Sequence, residues 1–314
     1  MNILVTGGCG YIGSVLTPKL LDQGHHVTVY DIMWFGNFLK KHKNLKIVQG
    51  DIRDIDAIPM VGIDAIIHLA NIANDPCGDL NAKLAWEVNV LATMGLVEKA
   101  IAHNVKQFIL SSSGSVYGVK EESQVTEELS LVPISDYNKT KMISERVLLS
   151  YRDKIIIQIV RPATVCGYSP RMRLDLSVNM LTVQALTNGR ITVFGGDQTR
   201  PNIHIQDITD VFIHFLNLGE KASGIYNAGF ENISILDIAK MAANFIPAEI
   251  IVTESNDPRS YRLNADKLLS TGFKPKFKVV YAIQEIVEAF NSGRLKNEDV
   301  CYNVRTMKQM EYLA

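Results

Sequence analysis

The sequence predicts an α/β fold in which a doubly wound parallel sheet carries a smaller, interleaved α/β lobe. Through residues 1–167, short runs rich in Val, Ile and Leu alternate with amphipathic segments. The runs are almost continuously apolar, as strands are when helices cover both faces of a parallel sheet. Glycine clusters or polar residues follow the runs. Because ligands bind at the carboxyl ends of parallel strands, these residues are the candidate ligand contacts.

The composition excludes several classes of protein. The chain has 314 residues, of which 47% are apolar and 21% charged, with a formal net charge of −1. An interface for nucleic acid normally shows as a basic excess, so none is expected. There is no apolar run long enough to cross a membrane, and the start, MNILVTGG, is typical of a buried strand. The cysteines lack metal-ligand spacing, so we expect reduced thiols, no metal site and a cytoplasmic location.

The first strand, turn, helix and second strand predict a dinucleotide site. The run NILVT (2–6) leads into the glycine turn TGGCGYIG (6–13), and the strand HVTVYD (26–31) ends in an acid. Such glycines permit a tight turn and close approach of the backbone to a pyrophosphate, which the following helix N-terminus attracts. The Asp31 carboxylate accepts hydrogen bonds from ribose hydroxyls and repels a 2′-phosphate, which favours NAD over NADP. The glycines are Gly7, Gly10 and Gly13.

The alternation of strands and helices continues as far as residue 167. Polar residues again end the apolar runs, so further ligand contacts are expected at the same edge of the sheet. The Tyr-containing helix is expected to be capped by Ser135 or Asp136. The additional strands are predicted at 45–54, 64–71, 107–118 and 155–167, and the helices between them at 86–104 and 137–151.

The segments SSSGSVYG (111–118) and YNKTK (137–141) predict a site for proton and hydride transfer. Residues four apart on a helix share a face, so Tyr137 and Lys141 point toward one site. A phenol has a pKa near ~10, and lowering it by roughly 3 units needs about 4 kcal/mol. Lys141 and a cationic nicotinamide are expected to supply much of this. The Ser113 hydroxyl can hydrogen-bond the phenolate or a substrate oxygen.

The pattern changes after residue 167. An arginine-rich segment, SPRMRLDLSVN (169–179), precedes a helix, and short β runs surround Arg200. We expect these later pieces to form a smaller lobe over the sheet edge, interleaved with the first domain. The predicted division is an NAD-binding domain at 1–167 with 201–224 returning to it, a substrate-binding lobe at 168–200 and 225–292, and an unplaced tail at 293–314.

Taken together, the motifs resemble those of the extended short-chain dehydrogenases/reductases, the NAD-dependent nucleotide-sugar epimerase/dehydratase group. The resemblance extends to about residue 290. It implies a Rossmann-like sheet, bound NAD, a catalytic set of Ser113, Tyr137 and Lys141, a nucleoside-diphosphate sugar as substrate, and a homodimer packed through the Tyr–Lys helix. The motifs are TGGCGYIG, Asp31, GDIRD (50–54), HLAN (68–71), EVNVLAT with Asn89, SSSGSVYG, YNKTK, RPATVCG (161–167) and NIHIQD (202–207).

The resemblance also implies roles for individual residues. Lys141 is expected to bond the nicotinamide ribose, and Arg200 to hold the substrate diphosphate with Arg259 or Arg262 as the second clamp. Planar guanidinium groups bind such anions bidentately. Further substrate contacts are Asn179, Arg171 and Arg173. The remaining expected cofactor contacts are Tyr11, Ile12, Asp51, Ile52, Leu69, Ala70, Asn71, Asn89, Ser111, Pro162, Thr164 and Val165.

Two departures from the family pattern concern the pocket. Residue 71 is Asn where the family usually has Ala or Gly, and residue 166 is Cys where Tyr is frequent. Both are expected to reshape the pocket and to leave the chemistry in place.

The residues beside Ser113 limit which of the family's reactions this chain is expected to catalyse. A 4,6-dehydratase of this family uses an acid pair there, whereas this chain has Gly114 and Ser115. A ketoreductase would more often use NADPH, which Asp31 disfavours. A 3,5-epimerising reductase needs a Cys and a His at the sugar, and Cys166 and His204 qualify only by residue type. A 4-epimerase and a 4-dehydrogenase that releases the keto sugar are the outcomes left.

Two local segments bear on that choice. YIGSVLTP and SPRMRLDLSVN are similar to those of a bacterial GDP-heptose 4-dehydrogenase type that serves surface-polysaccharide sugar synthesis. The epimerase is the preferred interpretation, with the dehydrogenase as the alternative. A catalytically silent NAD-binding protein would be expected to have lost Ser113, Tyr137 or Lys141, and all three are present.

Overall fold

The structure is a computed structural model that describes residues 1–255 and 260–310. The strands are β1 (Asn2–Thr6), β2 (His26–Asp31), β3 (Leu45–Gln49), β4 (Ala65–His68), β5 (Gln107–Ser111), β6 (Ile156–Pro162), β7 (Thr164–Cys166), β8 (Arg190–Phe194), β9 (Thr199–His204), β10 (Gly224–Ala228), β11 (Glu231–Ser234) and β12 (Glu249–Thr253). The helices are α1 (Gly13–Asp22), α2 (Asp75–Leu80), α3 (Ala82–Trp86), α4 (Ala92–Ala102), α5 (Asp136–Leu149), α6 (Ser177–Asn188), α7 (Ile205–Leu218), α8 (Ile235–Phe245), α9 (Asp266–Ser270), α10 (Val279–Asn291) and α11 (Asn303–Lys308). Within these ranges, no helix is both long and apolar enough to cross a membrane.

The main sheet has the strand order β3–β2–β1–β4–β5–β6–β10, with parallel neighbours. Side chains of a strand alternate between the two faces of its sheet. In β1, Ile3 and Val5 therefore enter one apolar core and Leu4 enters the other. All three are fully buried. The predicted doubly wound parallel sheet is confirmed, and the strand order reverses between β1 and β4, where such folds bind ligands.

A second lobe lies beyond β7. Two small sheets, β11–β9–β7 and β12–β8, accompany helices α6, α8 and α10. These elements share a separate apolar core that includes Leu181, Ile191, Ile238 and Ile283. The lobe therefore has a core of its own and joins the main sheet through the segment after β6.

The boundary of the returning segment differs from the predicted one. Residues from 225 onward were expected in the substrate-binding lobe, but β10 belongs to the main sheet, where Tyr226 pairs with Val160 of β6. β10 pairs with β6 along its whole length, from Gly224 to Ala228, and the preceding α7 packs against α1. The return to the first domain therefore extends through Ala228.

The C-terminal segment, unplaced from the sequence, packs against the arginine-rich segment between β7 and α6. A short 3₁₀ turn at Asp299–Cys301 leads into α11. The backbone N–H of Leu174 donates to the Cys301 carbonyl at 2.8 Å. The N–H of Asn303 donates to the Asp175 carboxylate at 3.3 Å. These contacts connect the end of the chain to the segment that precedes α6.

Two helices near β5 have features that bear on the site. Helix α5 begins after Ser135, whose hydroxyl accepts the backbone N–H of Asn138 at 3.1 Å, so Ser135 is the N-cap. The predicted helix at 86–104 contains a π-helical stretch at Glu87–Leu91 before it continues as α4. Such π segments are frequent at functional sites, and this one contains Asn89.

Candidate active site

A cavity of about 540 Å³ opens at the carboxyl ends of the main-sheet strands. Its walls come from the glycine turn after β1, the ends of β2, β4, β5 and β6, and the segment between β7 and α6. Its volume lies in the range of small-molecule sites, roughly 300–1,000 Å³. The predicted cofactor contacts that line it are Gly7, Gly10, Tyr11, Ile12, Gly13, Asp31, Asp51, Ile52, Leu69, Ala70, Asn71, Ser111, Tyr137, Pro162, Thr164 and Val165.

The glycine turn fits the phosphates of a dinucleotide. Gly7 has a φ of +71°, and a Cβ there would lie 2.5 Å from the backbone nitrogen of Ala70. A Cβ at Gly13 would lie 2.5 Å from the Cα of Gly8. Only glycine therefore lets the chain turn this tightly into α1. The N-terminus of α1 begins at this turn, and the positive end of a helix dipole attracts an anion.

Asp31 stands at the end of β2 with its carboxylate in the cavity wall. One oxygen accepts the backbone N–H of Cys9 at 2.9 Å, and the other accepts that of Met33 at 2.7 Å. Burial raises the pKa of Asp31, while these hydrogen bonds and the charge of Arg171 lower it. The carboxylate is thus fixed beside the glycine turn, in the position that suits ribose hydroxyls.

Asp51 and Ile52 follow β3 and also line the cavity. Arg53 holds the Asp51 carboxylate, with N···O distances down to 2.7 Å, and also contacts Glu87 at 2.8 Å. This pairing lowers the pKa of Asp51. Ile52 is buried and offers an apolar surface to a ligand.

Ser113 and Tyr137 meet in the cavity. Both side chains line it, and the Ser113 side chain, as a hydrogen-bonding group, lowers the pKa of Tyr137. Burial has the larger, opposite effect, and the pKa of Tyr137 is raised to about 12. The tyrosine is therefore protonated in this arrangement. Because Ser113 follows β5 and Tyr137 opens α5, two elements converge on a single pair of hydroxyl groups.

Lys141 lies behind the cavity wall, one turn after Tyr137 on α5. Only 3% of the residue is exposed, and its Nζ donates to the Ser111 carbonyl at 2.8 Å. Burial lowers the pKa of Lys141 to about 7, while the charge of Glu145 opposes the shift. With a pKa near that value, Lys141 carries only part of a positive charge at neutral pH.

A buried hydrogen-bond network supports the C-terminal half of α5. Glu145 accepts two hydrogen bonds from Arg161, at 2.9 and 2.6 Å, and one from the Ser112 hydroxyl at 2.5 Å. Arg161 also donates to the Tyr117 hydroxyl at 2.6 Å. The network fixes α5 against β5 and β6. The rotation of α5, and with it the direction of Tyr137, is set by these contacts.

Asn89 and Asn179 face protein groups behind the wall, away from the cavity. Asn89 accepts the N–H of Ile72 at 2.8 Å and donates to the Thr140 hydroxyl at 2.9 Å. Asn179 accepts the N–H of Gly167 at 3.0 Å and donates to the Tyr11 hydroxyl at 3.0 Å. Both asparagines are almost fully buried. Their expected ligand contacts are thus replaced by contacts that hold loops in position.

Asn71 is oriented by its own loop. Its amide donates to the Leu69 carbonyl at 2.7 Å. Its carbonyl oxygen is buried without a hydrogen-bond partner among the described residues. The larger side chain at this position thus places an acceptor in the wall that Ala or Gly would not supply.

Three of the predicted arginines line the cavity: Arg171, Arg173 and Arg200. Arg173 forms a two-point ion pair with Asp175, at 2.9 and 3.0 Å. Arg262 has an exposed side chain outside the cavity, so it is not brought to Arg200 as the expected second clamp. Its backbone carbonyl instead accepts the N–H of Val125. Arg259, the other candidate, lies outside the described residues.

The residues considered for further acid–base roles form hydrogen bonds with other protein groups. The Ser115 hydroxyl lies 2.7 Å from that of Ser113 and donates to Asn138 at 2.5 Å. Cys166 donates to the Ile203 carbonyl at 3.5 Å, and it is fully buried. His204 caps α7 through Gln206. Cys166 and His204 are therefore structural side chains behind the cavity.

Sequence reasoning missed several residues of the wall. Phe35 follows β2, and its ring stacks on the Arg171 guanidinium at 4.0 Å. Asn303 reaches the cavity from the C-terminal segment, and its side-chain amide oxygen accepts a hydrogen bond from Arg171 at 2.5 Å. Neither residue belongs to a sequence motif, so only the fold could identify them as residues of the cavity wall. Other unpredicted wall residues are Trp34, Asp75, Asp175 and Tyr261.

Comparison with known proteins gives consistent matches along the chain. Residues 3–229 match the model of the NAD dependent epimerase/dehydratase family. A UDP-glucose 4-epimerase of Lactobacillus helveticus is 28% identical over 310 residues, which cover 89% of this chain and 94% of the relative. A UDP-glucose 4-epimerase of Halalkalibacterium halodurans is 30% identical over 314 residues, covering 88% of this chain and 91% of the relative. UDP-glucuronic acid 4-epimerase from Bacillus cereus, solved with UDP-glucuronic acid and NAD, has a TM-score of 0.81 and 26% identity, covering 93% of this chain and 99% of that one.

Proposed function

This chain belongs to the NAD-dependent epimerase/dehydratase family, and we propose that it is a nucleotide-sugar 4-epimerase that acts by transient oxidation at C4. The cofactor is NAD, as the family requires. The observation that carries the proposal is the Ser113–Tyr137 hydroxyl pair, which lines the same cavity as the glycine turn and Asp31. A proton acceptor for a sugar hydroxyl thus stands next to the dinucleotide site. The relatives described above, two of them UDP-glucose 4-epimerases, support this interpretation.

The chemistry begins with removal of the C4 hydroxyl proton by Tyr137. Bound NAD⁺ supplies the hydride acceptor and a cationic nicotinamide ring. The pKa of Tyr137, about 12 in the protein alone, has to fall before a phenolate is available near neutral pH. Nearby positive charge lowers a phenol pKa, and Arg173 already acts in this direction. Loss of the hydroxyl proton and of the C4 hydride converts the alcohol into a 4-keto sugar.

The fate of the keto sugar distinguishes the proposal from its alternative. In the epimerase, the sugar presents its other face before hydride and proton return, and C4 is inverted. In the alternative, a 4-dehydrogenase, the keto sugar leaves. The observation that favours the alternative is the buried segment with Arg171 and Arg173, which resembles that of the GDP-heptose 4-dehydrogenase type. Both outcomes use Tyr137 in the same first step.

Elimination of water is not part of the proposal. A dehydratase needs an acid and a base beside the active-site hydroxyl, and Gly114 offers no side chain. Ser115 is engaged with Ser113 and Asn138. We therefore expect no 4-keto-6-deoxy product from any hexose substrate.

For the substrate, we propose that Arg200 binds the diphosphate. It lies on β9 in the cavity wall, between the two lobes. A guanidinium fork matches the geometry of a phosphate group and carries the opposite charge. This proposal concerns the diphosphate and does not specify the nucleotide base or the sugar.

We also propose that the protein is a homodimer and acts in the cytoplasm. The outer face of the helical stretch from Ala82 to Ala102, which packs on α5, exposes Trp86, Leu91 and Met94, with 36%, 57% and 38% exposure. Apolar side chains clustered on one face favour burial against a partner. A second copy packed there through α5 is the arrangement that the family resemblance implies.

The deciding experiment incubates the protein with UDP-, GDP-, dTDP- and CDP-sugars and follows the products by NMR. We expect interconversion of C4 epimers with one of them. Release of a 4-keto sugar would establish the dehydrogenase alternative, and a 4-keto-6-deoxy product would contradict the argument from Gly114 and Ser115.

The Tyr137→Phe variant is the companion test. Removal of a positioned acid–base group typically costs about 10²–10⁴-fold in rate. We therefore expect a loss of kcat in that range, with NAD still bound. An unchanged turnover would overturn the proposed role of Tyr137 and support the alternative that the chain is a catalytically silent NAD-binding protein.

A further inference from the structure

Arg171 is a buried cation in the wall of the cavity. Only 3% of the residue is exposed. Its guanidinium stacks on the Phe35 ring at 4.0 Å, and its Nη2 donates to the Asn303 carbonyl oxygen at 2.5 Å. Its Nε has no hydrogen-bond partner in the described part of the chain. The side chain is thus held rigidly by neutral groups while part of its hydrogen-bonding capacity is unused.

Among the described residues no carboxylate forms an ion pair with Arg171, although the charges of Asp175 and Asp31 raise its pKa. Asp175 forms its two-point pair with Arg173. The Asp31 oxygens already accept backbone N–H groups. Burial and the like charge of Arg173 lower the pKa of Arg171 to about 10, so the guanidinium is still charged at neutral pH. Buried charges are normally paired, and an anion in the cavity would supply the missing partner.

The two arginines of this segment face different parts of the cavity. The charge of Arg171 acts on Asp31, beside the glycine turn. The charge of Arg173 acts on Tyr137, at the reacting end. Phe35, the stacking partner of Arg171, follows the strand that ends at Asp31. Arg171 therefore lies on the cofactor side of the cavity, and the substrate role expected for it from the sequence does not match this position.

We propose that Arg171 binds the pyrophosphate of the dinucleotide cofactor and that Phe35 and Asn303 position it for this contact. The glycine turn and the N-terminus of α1 offer only neutral N–H groups to two negative charges. The Arg171 guanidinium, on a segment that contacts the glycine turn through Ser169 and Tyr11, would complete the anion site. The C-terminal segment, through Asn303, thereby becomes part of the cofactor site. The inference uses the NAD of the family and is independent of the reaction proposed above.

The test measures binding without turnover, using ADP-ribose as the probe for the cofactor side and UDP for the substrate side. Isothermal titration compares the parent protein, stripped of nucleotide, with Arg171→Gln and Arg171→Lys. Loss of a charge-assisted contact is expected to weaken ADP-ribose binding about 10–100-fold in Arg171→Gln. Arg171→Lys keeps the charge without the fork and is expected to lose less. UDP binding is expected to be unchanged, and the NAD content of freshly purified Arg171→Gln is expected to fall.

The controls separate this role from others. Arg305→Gln removes an exposed arginine of the same C-terminal segment, and both affinities are expected to be unchanged. Equal losses of ADP-ribose and UDP binding in Arg171→Gln would indicate a structural role and overturn the proposal. Loss of UDP binding alone would return Arg171 to the substrate side. A loss for NADP at least tenfold larger than for NAD would assign the guanidinium to a 2′-phosphate and contradict the pyrophosphate contact.

Discussion

In the proposed reaction, Tyr137 can accept a proton only when nearby positive charge lowers the pKa of its phenol. Burial raises the pKa of its phenol to about 12, and the Ser113 side chain offsets part of that effect. Lys141, one turn away, is itself buried to the point where its pKa falls to about 7. Each pKa unit corresponds to about 1.4 kcal/mol. The protein groups alone thus favour the protonated phenol near neutral pH, and a bound cofactor with a cationic ring would shift that balance toward the phenolate.

We expect Asp31 to select the cofactor. Replacement by Ala would remove the carboxylate that we propose accepts hydrogen bonds from ribose hydroxyls and repels a 2′-phosphate. We predict weaker NAD binding and a ratio of NADP to NAD affinity at least about tenfold higher than in the parent protein, an effect of about 1.4 kcal/mol or more. Fluorescence titration with NADH and NADPH measures both affinities.

The control for Asp31→Ala is Asp56→Ala, which removes an exposed carboxylate outside the cavity wall. Its NADP to NAD ratio is expected to match that of the parent. If Asp31→Ala leaves the ratio unchanged as well, the assignment of Asp31 to the ribose is wrong.

At the scale of one element, helix α5 carries both a residue of the cavity wall, Tyr137, and the buried ion pair that holds the helix in place. Tyr137, Lys141 and Glu145 recur at four-residue spacing and share a face. Tyr137 faces the cavity, Lys141 bonds the end of β5, and Glu145 pairs with Arg161 of β6 in the interior. One end of the helix thus carries the reacting group while the other is anchored by a buried ion pair.

Glu145→Gln tests that anchor. The substitution leaves the Arg161 charge buried without its partner, and breaking a buried pair from one side costs about 3–5 kcal/mol. We predict a loss of that size in the free energy of unfolding, measured by urea denaturation.

Asp153→Asn, at an exposed position shortly after α5, provides the comparison and is expected to change the free energy by less than about 0.5 kcal/mol. A Glu145→Gln protein as stable as this control would show that the ion pair does not anchor the helix.

At the scale of the whole molecule, the two lobes meet at the cavity. The main sheet supplies the glycine turn, Asp31 and the Ser113–Tyr137 pair, while the second lobe contributes Arg200 on β9. The C-terminal segment closes the same cavity through Asn303. The site is therefore assembled from residues distant in sequence.

The exposed face of Trp86, Leu91 and Met94 leads to a prediction about assembly. If a second copy covers this face, Leu91→Glu places a charge in the interface. We predict that the parent protein elutes as a dimer and the variant as a monomer, as measured by size-exclusion chromatography with light scattering.

Val61→Glu is the matched control, because Val61 is 90% exposed and lies between β3 and β4, outside the helical stretch from Ala82 to Ala102. It is expected to leave the assembly unchanged. A parent protein that is monomeric at all concentrations would contradict the proposed dimer.

Local patterns predicted the main strands closely. The glycine turn, the β2 strand with its terminal acid and the Tyr–Lys helix were all expected where the structure has them. Each depends on residues adjacent in sequence, whose spacing fixes a turn or a helix face. The boundary at β10 was misplaced, because a short apolar run does not reveal which sheet edge its backbone will join.

By itself, the sequence determined the fold class, NAD as the cofactor and the residues expected at the reacting centre, since periodicity and motif spacing are local properties. Only the tertiary structure decided how those side chains are oriented. It turned Asn89 and Asn179 toward protein groups, kept Arg262 outside the cavity and brought Asn303 to Arg171. Burial also set the pKa of Tyr137. The physical reason is that orientation and desolvation depend on packing between distant segments, which no local pattern encodes.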